Sequence, residues 1–331
     1  KHTWIILLFI YSGIASLIPV WILLQPRDYI NSHQLIVGLS LIFLSIFLIQ
    51  PKIIAPAITN LDKGPPIIPF LFVTIACGAI SGFHGLVSSG TTSKQVNKME
   101  DARMIGYGAT LGEGSLALAA TIAAIAGLSF VNMQNEICLP WACDFNNAKA
   151  GALNVFINGS SGLLQQIGLP QGLATTLIVV LVVSFAATTL DSATRIQRYI
   201  ITEFGSATKL KVFENKYLAT LISIIPAYFI ATNNELRNEL WQTFGASNQM
   251  LAALTLMVLS IYFWKKGKNI VPLIIPMIII MLIAISALFI KFNQSTTFLL
   301  QLINGVLILL IIWMIIEGVM YCFKKMKLNN E

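Results

Sequence analysis

The sequence contains few charged residues. Asp, Glu, Lys and Arg make up 11% of its 331 residues, whereas about a quarter is usual in a soluble domain. Apolar side chains account for 56%, with a mean hydropathy of +0.79, and apolar runs recur from end to end. The solvent for most of these side chains must be lipid or other transmembrane helices. The composition excludes an ordinary soluble fold and indicates a polytopic membrane protein in a lipid bilayer.

The sequence also lacks the short motifs of soluble catalysis. HExxH, GxSxG and the nucleotide-binding GxxxxGK[ST] are absent, and no long polar segment could form a nucleotide-binding domain. We therefore expect no enzyme activity, no cofactor and no ATP-driven transport. The net charge of +7 does not indicate nucleic acid as a partner, because the basic residues form short clusters without interleaved aromatics.

The apolar runs predict an all-α fold with about nine transmembrane helices, each needing roughly 20 residues to cross a bilayer. The runs cover residues 3–24, 35–50, 67–87, 105–128, 172–190, 217–232, 248–264, 271–290 and 298–323. They form a single transmembrane domain over residues 1–331. The longest interval between them, 129–171, is expected to be an external loop.

The distribution of basic residues predicts the orientation. Cytoplasmic loops are enriched in Lys and Arg, and in this arrangement fifteen of the 21 basic residues fall on one side of the membrane and six on the other. The C-terminus is therefore expected in the cytoplasm and Lys1 outside. Because Lys1 replaces an initiating Met and directly precedes a span, we expect further spans upstream.

Two of the four cysteines lie in the external loop. Cys138 and Cys143 occur in the sequence Cys-Leu-Pro-Trp-Ala-Cys, on the side of the membrane where a disulfide could persist. The spacing fits either a bridge across a tight turn or two free thiols. No histidine lies in this loop, so we expect no zinc or other metal site there.

A cluster of small and polar residues at 77–92 interrupts an apolar run. A helix that breaks at membrane depth is tolerated where it lines a cavity, and transporters bind substrates at such breaks. Close helix packing through small residues is the alternative explanation. His84 could carry a proton, since histidine changes charge near neutral pH, or donate to a carbonyl. The predicted substrate-binding residues of this segment are Ser81, Gly82, His84, Gly85, Ser88, Ser89, Gly90, Thr91 and Thr92.

Carboxylates inside membrane spans are costly and therefore candidates for function. Glu113 follows Gly108 and Gly112, which share a face that could let another helix approach; it is the first candidate for proton coupling, with a buried structural acid as the alternative. Asp191 lies four residues before Arg195, so an interfacial ion pair at a helix end explains it most simply. Together with Ser192 and Thr194, Asp191 could instead bind a coupling cation.

Two amide side chains lie at the start of the span at 248–264. Asn248 and Gln249 follow the sequence Trp-Gln-Thr-Phe-Gly-Ala-Ser. Such amides can cap a helix or contact a substrate, and both residues are included in the candidate binding site.

Five segments resemble the carbon starvation protein A family. They are PRDYINS at 26–32, PFLFVTIACGAISGFHGLVSSGTTSKQ at 69–95, IGYGATLGEG at 105–114, LDSATRIQR at 190–198 and WQTFGASNQMLAALTLM at 241–257. The resemblance implies a carrier of the bacterial inner membrane that takes up peptides, or in some members pyruvate with a proton, when carbon is scarce. The family is grouped with the amino acid-polyamine-organocation superfamily, whose carriers have inverted repeats and two broken helices.

On that resemblance, segment 67–92 is similar to the broken helix of the second repeat, and residues 191–194 fall where some superfamily members hold a cation. Members of the family begin with a further block of spans, so this chain is expected to be the C-terminal part of such a transporter. The predicted function is import of a peptide coupled to H+ or Na+, with pyruvate/proton symport as the alternative. A membrane-embedded nutrient sensor or accessory subunit is a third possibility from a different class.

Overall fold

The computed structural model describes residues 2–57, 67–131, 141, 145–295 and 297–329, and all regular structure in these ranges is helical. This confirms the all-α prediction. Cys138 and Cys143, with their predicted disulfide, lie outside the described residues. The helices are α1 (His2–Leu17), α2 (Val20–Ile49), α3 (Phe72–Ala79), α4 (Gly82–Gly90), α5 (Asp101–Ile125), α6 (Phe145–Gln166), α7 (Gln171–Thr208), α8 (Lys211–Glu214), α9 (Lys216–Thr232), α10 (Asn234–Lys265), α11 (Val271–Gln294) and α12 (Phe298–Asn329).

Seven described segments are long and apolar enough to cross a membrane. Two shorter apolar helices, α1 and α9, accompany them. Together they support the predicted polytopic membrane fold of about nine spans. The segment Ile67–Lys94, which contains α3 and α4, is one of the seven and is discontinuous, as the sequence predicts.

The chain divides into two compact units. The first contains residues 3–64 and 95–225, and the second contains residues 65–94 and 226–331. The core of the first unit joins α2, α5, α6 and α7 through residues such as Ile42, Ala123, Leu163 and Ile178. The core of the second unit joins α3, α10, α11 and α12, and includes Val73, Ala246, Leu288 and Ile311.

The predicted boundaries of the first two spans are wrong. Instead of a loop between residues 24 and 35, the chain breaks at Ile18–Pro19 and then continues as the 30-residue helix α2. Proline at 19 suits a helix start because it has no N–H to donate. Arg27 and Asp28 therefore lie inside α2 rather than in a connection between two helices.

The expected external loop 129–171 contains a packed helix. In α6, Gly159 faces the backbone of Ala123 and of Gly127, where a Cβ atom on Gly159 would lie 2.1 Å from the Ala123 carbonyl oxygen. Only glycine permits backbones to approach this closely. Helix α6 is only weakly apolar, and for this reason it does not stand out as a hydrophobic run.

Helices α7 and α10 are longer than predicted. The apolar run of α7 ends at residue 190, yet the helix continues to Thr208, and α10 begins at Asn234 rather than 248. Arg195 and Arg198 therefore lie within α7 and are buried. These two arginines and Arg27 lie about two turns or more from the ends of their helices, so they do not contribute to the orientation signal. Without them, twelve basic residues remain on the predicted cytoplasmic side of the membrane and six on the other side.

Candidate functional site

The first candidate site is the break between α3 and α4 in the second unit. Helix α3 ends at Ala79, and Ile80 (φ −135°, ψ 71°) and Ser81 (φ −84°, ψ 127°) leave helical geometry before α4 begins at Gly82. The amide of Ile80 still donates to the Ala76 carbonyl at 2.7 Å, which closes the end of α3. The sequence predicts a broken helix within 78–92, and the structure locates the break at two residues.

Asn248 of α10 links both sides of this break. Its Nδ2 lies 3.0 Å from Ser81 Oγ and 3.1 Å from Cys77 Sγ, while its Oδ1 accepts a hydrogen bond from the Phe83 amide at 3.0 Å. The Phe83 amide is one of the α4 donors that lack a partner within the helix. Asn248 thus caps the N-terminus of a different helix, because its own helix began fourteen residues earlier.

Two glycines let α4 lie directly against α10. A Cβ atom at Gly82 would lie 2.4 Å from the Asn248 carbonyl oxygen and 2.5 Å from the Ala252 nitrogen, and one at Gly85 would lie 2.4 Å from Thr255 Oγ1. Close packing is therefore the role of these two glycines in this conformation. Both explanations offered by the sequence apply to the segment, since it has a break and a close helix contact.

The polar residues that follow Gly85 do not form an unwound binding loop. Residues 82–90 are helical, so the amides near Gly85–Gly90 are used by the helix itself. The hydroxyls of Ser88, Ser89 and Thr91 bond to carbonyls three or four residues earlier in α4. His84, Ser88 and Ser89 are exposed. Residues 85–90 therefore offer no unwound backbone to a substrate in this conformation.

Gln249 is a completely buried amide, and neither polar atom of its side chain has a hydrogen-bond partner among the described residues. Three residues before it, Ala246 packs in a cluster with Leu288 and Ile311, and four residues after it, Ala253 packs in another with Ile280 and Met314. Gln249 shares this helix face and so points into the interior of the second unit. A buried amide without partners is costly and calls for an explanation.

A second polar cluster lies in the first unit, where α2 meets α7. Three side chains on α2, spaced four and three residues apart, meet three on α7 with the same spacing. The pairs are Arg27 with Asp191, Asn31 with Thr188, and Gln34 with Ser184. Further along, Gly38 lies against Leu181. We call the three polar pairs the polar ladder. None of the α2 residues was predicted as functional, although their spacing is visible in the sequence.

The predicted pairing of Asp191 with Arg195 at a helix end is wrong. Asp191 is fully buried in the middle of α7 and forms its ion pair with Arg27. Arg195 instead donates through Nη2 to the carbonyl oxygens of Ala15 and Ile18, at 2.6 and 2.7 Å. These carbonyls lie where α1 ends, so Arg195 stabilises the break between α1 and α2.

The hydroxyl of Thr194 is engaged with α1. Its Oγ1 lies 2.7 Å from Ser12 Oγ and donates to the Leu190 carbonyl at 2.9 Å. Ser192 is only half-buried. The structure brings Thr194 and Asp191 onto the buried side of α7, but it directs them toward α1 and α2 respectively.

Glu113 lies on an open face of α5. A Cβ atom added at Gly106, Gly108, Gly112 or Gly114 would meet nothing within 4 Å, and Glu113 itself is exposed. The expected close approach of a helix to this glycine face is therefore not found among the described residues.

A discontinuous span and buried polar pairs between helices define the class, a polytopic helical membrane protein with polar sites at membrane depth. The chain belongs to the carbon starvation protein CstA family, whose model matches residues 1–139 and 142–287. No solved structure matches the chain significantly.

The curated relatives are about twice as long as this chain. The peptide transporter CstA of Helicobacter pylori (strain ATCC 700392 / 26695) is 30% identical over 308 residues, covering 78% of this chain and 45% of that protein. The peptide transporter CstA of Bacillus subtilis (strain 168) is 30% identical over 305 residues, covering 81% and 50%. The pyruvate/proton symporter BtsT of Escherichia coli (strain K12) is 46% identical over 123 residues, covering 34% and 17%. The chain thus spans about half the length of the peptide transporters that it matches.

Proposed function

We propose that the chain forms part of a secondary transporter that imports peptides across the bacterial inner membrane during carbon starvation. The observation that carries the proposal is the break at Ile80–Ser81, held by Asn248, in a membrane-spanning segment. Discontinuous spans of this kind form substrate sites in secondary carriers. The peptide transporters among the relatives support a carrier over a sensor or accessory subunit.

Ser81, Asn248 and Gln249 are the residues that we assign to substrate binding in the second unit, and Gly82 packs α4 against α10 beside them. Gln249 supplies the strongest chemical argument, because its buried amide offers both a donor and an acceptor without a protein partner. A peptide group presents the complementary acceptor and donor. The other predicted binding residues follow on α4 and just beyond it and stay predictions: His84, Gly85, Ser88, Ser89, Gly90, Thr91 and Thr92.

Pyruvate/proton symport is the second candidate function. The local identity to BtsT, 46% over 123 residues, exceeds the 30% identity to the peptide transporters, although over a shorter stretch. Pyruvate and a peptide C-terminus share a carboxylate, so a site for one has part of the chemistry needed for the other.

The coupling ion is H+ or Na+, and two carboxylates are candidates for it. Glu113 is exposed on α5, so the packed helices of the first unit do not enclose its carboxylate. Asp191, with Ser192 and Thr194, lies in a buried polar region, but its ion pair with Arg27 must loosen before it can bind a cation. Glu113 is therefore the more accessible proton carrier in this conformation.

The C-terminus is assigned to the cytoplasm. After removal of Arg27, Arg195 and Arg198 from the comparison, twelve basic residues remain on the C-terminal side of the membrane and six on the other. This excess still follows the positive-inside rule.

Uptake into membrane vesicles tests the proposed function. Vesicles from cells that express the protein are given a labelled dipeptide or labelled pyruvate, with and without an inward proton gradient. Peptide uptake that exceeds that of vesicles without the protein supports the main proposal, and pyruvate uptake alone supports the second. A nutrient sensor would accumulate neither compound.

A further inference from the structure

Arg27 presents an unused hydrogen-bonding edge inside the first unit. Its Nη1 contacts Asp191 and lies 2.9 Å from the hydroxyl of Tyr11. Its Nε and Nη2 are shielded from solvent and have no hydrogen-bond partner within the part of the chain that the structure describes. Unpaired buried donors are costly, and more so when they carry charge. The ion pair with Asp191 therefore accounts for only part of what this guanidinium can bind.

The two unused donors lie on the same edge of the guanidinium plane. Their N–H bonds are parallel and match the spacing of two carboxylate oxygens, so the pair can bind a carboxylate in a bidentate manner. We propose that the Nε/Nη2 edge of Arg27 is a receptor for the carboxylate group of the transported substrate. This inference rests on the proposed function, and it assigns the substrate class as monocarboxylates.

The charges around Arg27 favour an anion as the ligand. Over α1, α2 and α7 the sequence has three arginines and three acidic residues, but one of the acids, Glu203, is exposed, which leaves two acids beside the three arginines where α2 meets α7. Two of these arginines have no carboxylate partner, since Arg195 binds backbone carbonyls and Arg198 lies 4.7 Å over the ring of Tyr199. One further carboxylate would balance the formal charge of this buried region, where an excess charge is expensive.

The neighbouring acid does not occupy the free edge. Asp28 has a buried Oδ1 without a hydrogen-bond partner, although it directly follows Arg27. Consecutive residues on a helix point about 100° apart and do not face each other. Asp191 lies on the other side of the guanidinium group, at Nη1. The receptor edge therefore has no competing carboxylate within its own helix pair.

Access requires a conformational change, because solvent reaches neither Nε nor Nη2 in this conformation. Carriers that alternate between two open states separate helices around the binding site in each cycle. The break at Ile18–Pro19 lies directly before α2, and its carbonyls are held by Arg195. Movement at this break would change the surroundings of Arg27 without unfolding α2.

The test measures binding to the purified protein separately from transport. Pyruvate is compared with pyruvamide, and a dipeptide with its C-terminal amide, by the thermal stabilisation that each gives in detergent. Each acid should bind about tenfold or more tightly than its amide, because the amide cannot form the charge-assisted bidentate pair. Arg27→Lys should abolish this preference, since lysine keeps the charge but lacks the planar edge. Arg103→Lys, at an exposed arginine of α5, should leave it unchanged.

The outcomes separate this inference from the proposed function. If acid and amide bind equally well to the unmodified protein, the Arg27 receptor is disproved even where uptake of the compounds continues. If the acid preference is present and Arg27→Lys removes it, the receptor stands even where vesicles accumulate nothing and the transport proposal fails. The acid and amide comparison on the unmodified protein needs no variant, so poor folding of Arg27→Lys does not prevent the test. A preference seen for pyruvate alone or for the dipeptide alone identifies the substrate.

Discussion

Asn248 and Ser81 are joined across the break between α3 and α4. Ser81 Oγ lies 3.0 Å from Asn248 Nδ2 and 3.1 Å from Oδ1, while the same Oδ1 accepts from the Phe83 amide. One amide side chain thus binds both the Ser81 hydroxyl and the Phe83 amide, which also donates to Ser81 Oγ at 3.3 Å, within a candidate membrane span. Because lipid cannot supply these hydrogen bonds, the break depends on α10 for its stability.

Removing the Asn248 amide should destabilise the break. For Asn248→Ala we expect a loss of about 1–3 kcal/mol of stability, since the Phe83 amide and Ser81 hydroxyl lose their shared partner. Uptake should fall with it. Thermal denaturation in detergent and vesicle uptake provide the measurements. Ser247→Ala is the matched control, because Ser247 bonds only to the Phe244 carbonyl of its own helix. Equal stability of the two variants would contradict the role of Asn248.

Gly82 should tolerate no larger side chain. In Gly82→Ala the new Cβ would meet backbone atoms of Asn248 and Ala252 at about 2.4–2.5 Å, and backbone cannot move aside as a flexible side chain can. We expect a loss of about 1–3 kcal/mol, typical of overpacking. Gly78→Ala, four residues earlier in α3 with nothing within 4 Å, should be neutral or slightly stabilising. A comparison of the two denaturation temperatures checks this difference, and a harmless Gly82→Ala would refute the close contact.

The sequence predicted the existence of the break but not its support. Glycines, serines and a histidine within an apolar run indicate that the helix is interrupted near residues 78–92. Which hydroxyls remain available depends on where helical geometry resumes, and Ser88 and Ser89 turn out to bond within α4. Asn248 was predicted to cap a helix or contact substrate. Asn248 caps α4 rather than its own helix. Only the tertiary packing of α10 against α4 determines this partner.

The sequence does not predict the polar ladder, because a charged residue in an apolar sequence normally indicates the end of a span. Arg27 and Asp191 both interrupt apolar runs, so the prediction leaves Arg27 between two spans and Asp191 at a helix end. Because each charge neutralises the other, burying the two residues costs less free energy. The pair can form only if α2 packs against α7. Sequence proximity favoured Arg195 as the partner of Asp191, whereas the structure offers Arg27 instead. The polar residues are three and four residues apart on both helices. This common spacing is visible in the sequence when residues on one helix face are compared.

The Arg27–Asp191 pair should show strong energetic coupling. Removal of either partner leaves a buried unpaired charge, so Arg27→Met and Asp191→Asn should each cost about 3–5 kcal/mol. The double variant should be less destabilised than the sum of the two, because it removes both charges. Chemical or thermal denaturation in detergent measures all three. Arg103→Met, at an exposed arginine, serves as the control for loss of a positive charge. Simple additivity of the two single variants would indicate that the pair does not interact.

The buried amide of Gln249 should lower the stability of the protein and contribute to substrate binding. Gln249→Met keeps the length of the side chain but removes two buried polar atoms that have no partner, so stability should rise by about 1–3 kcal/mol. If the amide binds substrate, uptake should nevertheless fall. Gln301→Met is the matched control, because the Gln301 amide donates to the Ser295 carbonyl at 3.1 Å and its loss should lower stability. Increased stability with unchanged uptake would remove Gln249 from the substrate site.

Replacing Glu113 with glutamine tests proton coupling directly. Glutamine has nearly the same shape but cannot take up a proton, so Glu113→Gln should abolish accumulation of substrate against its gradient. Exchange of labelled for unlabelled substrate across the vesicle membrane should continue, because exchange needs no net proton movement. Glu203→Gln, at an exposed glutamate of α7, should retain both activities. If Glu113→Gln still accumulates substrate, the coupled ion is carried elsewhere, and Asp191 becomes the next residue to test. If both accumulation and exchange are lost, Glu113 is needed for substrate translocation itself rather than for coupling.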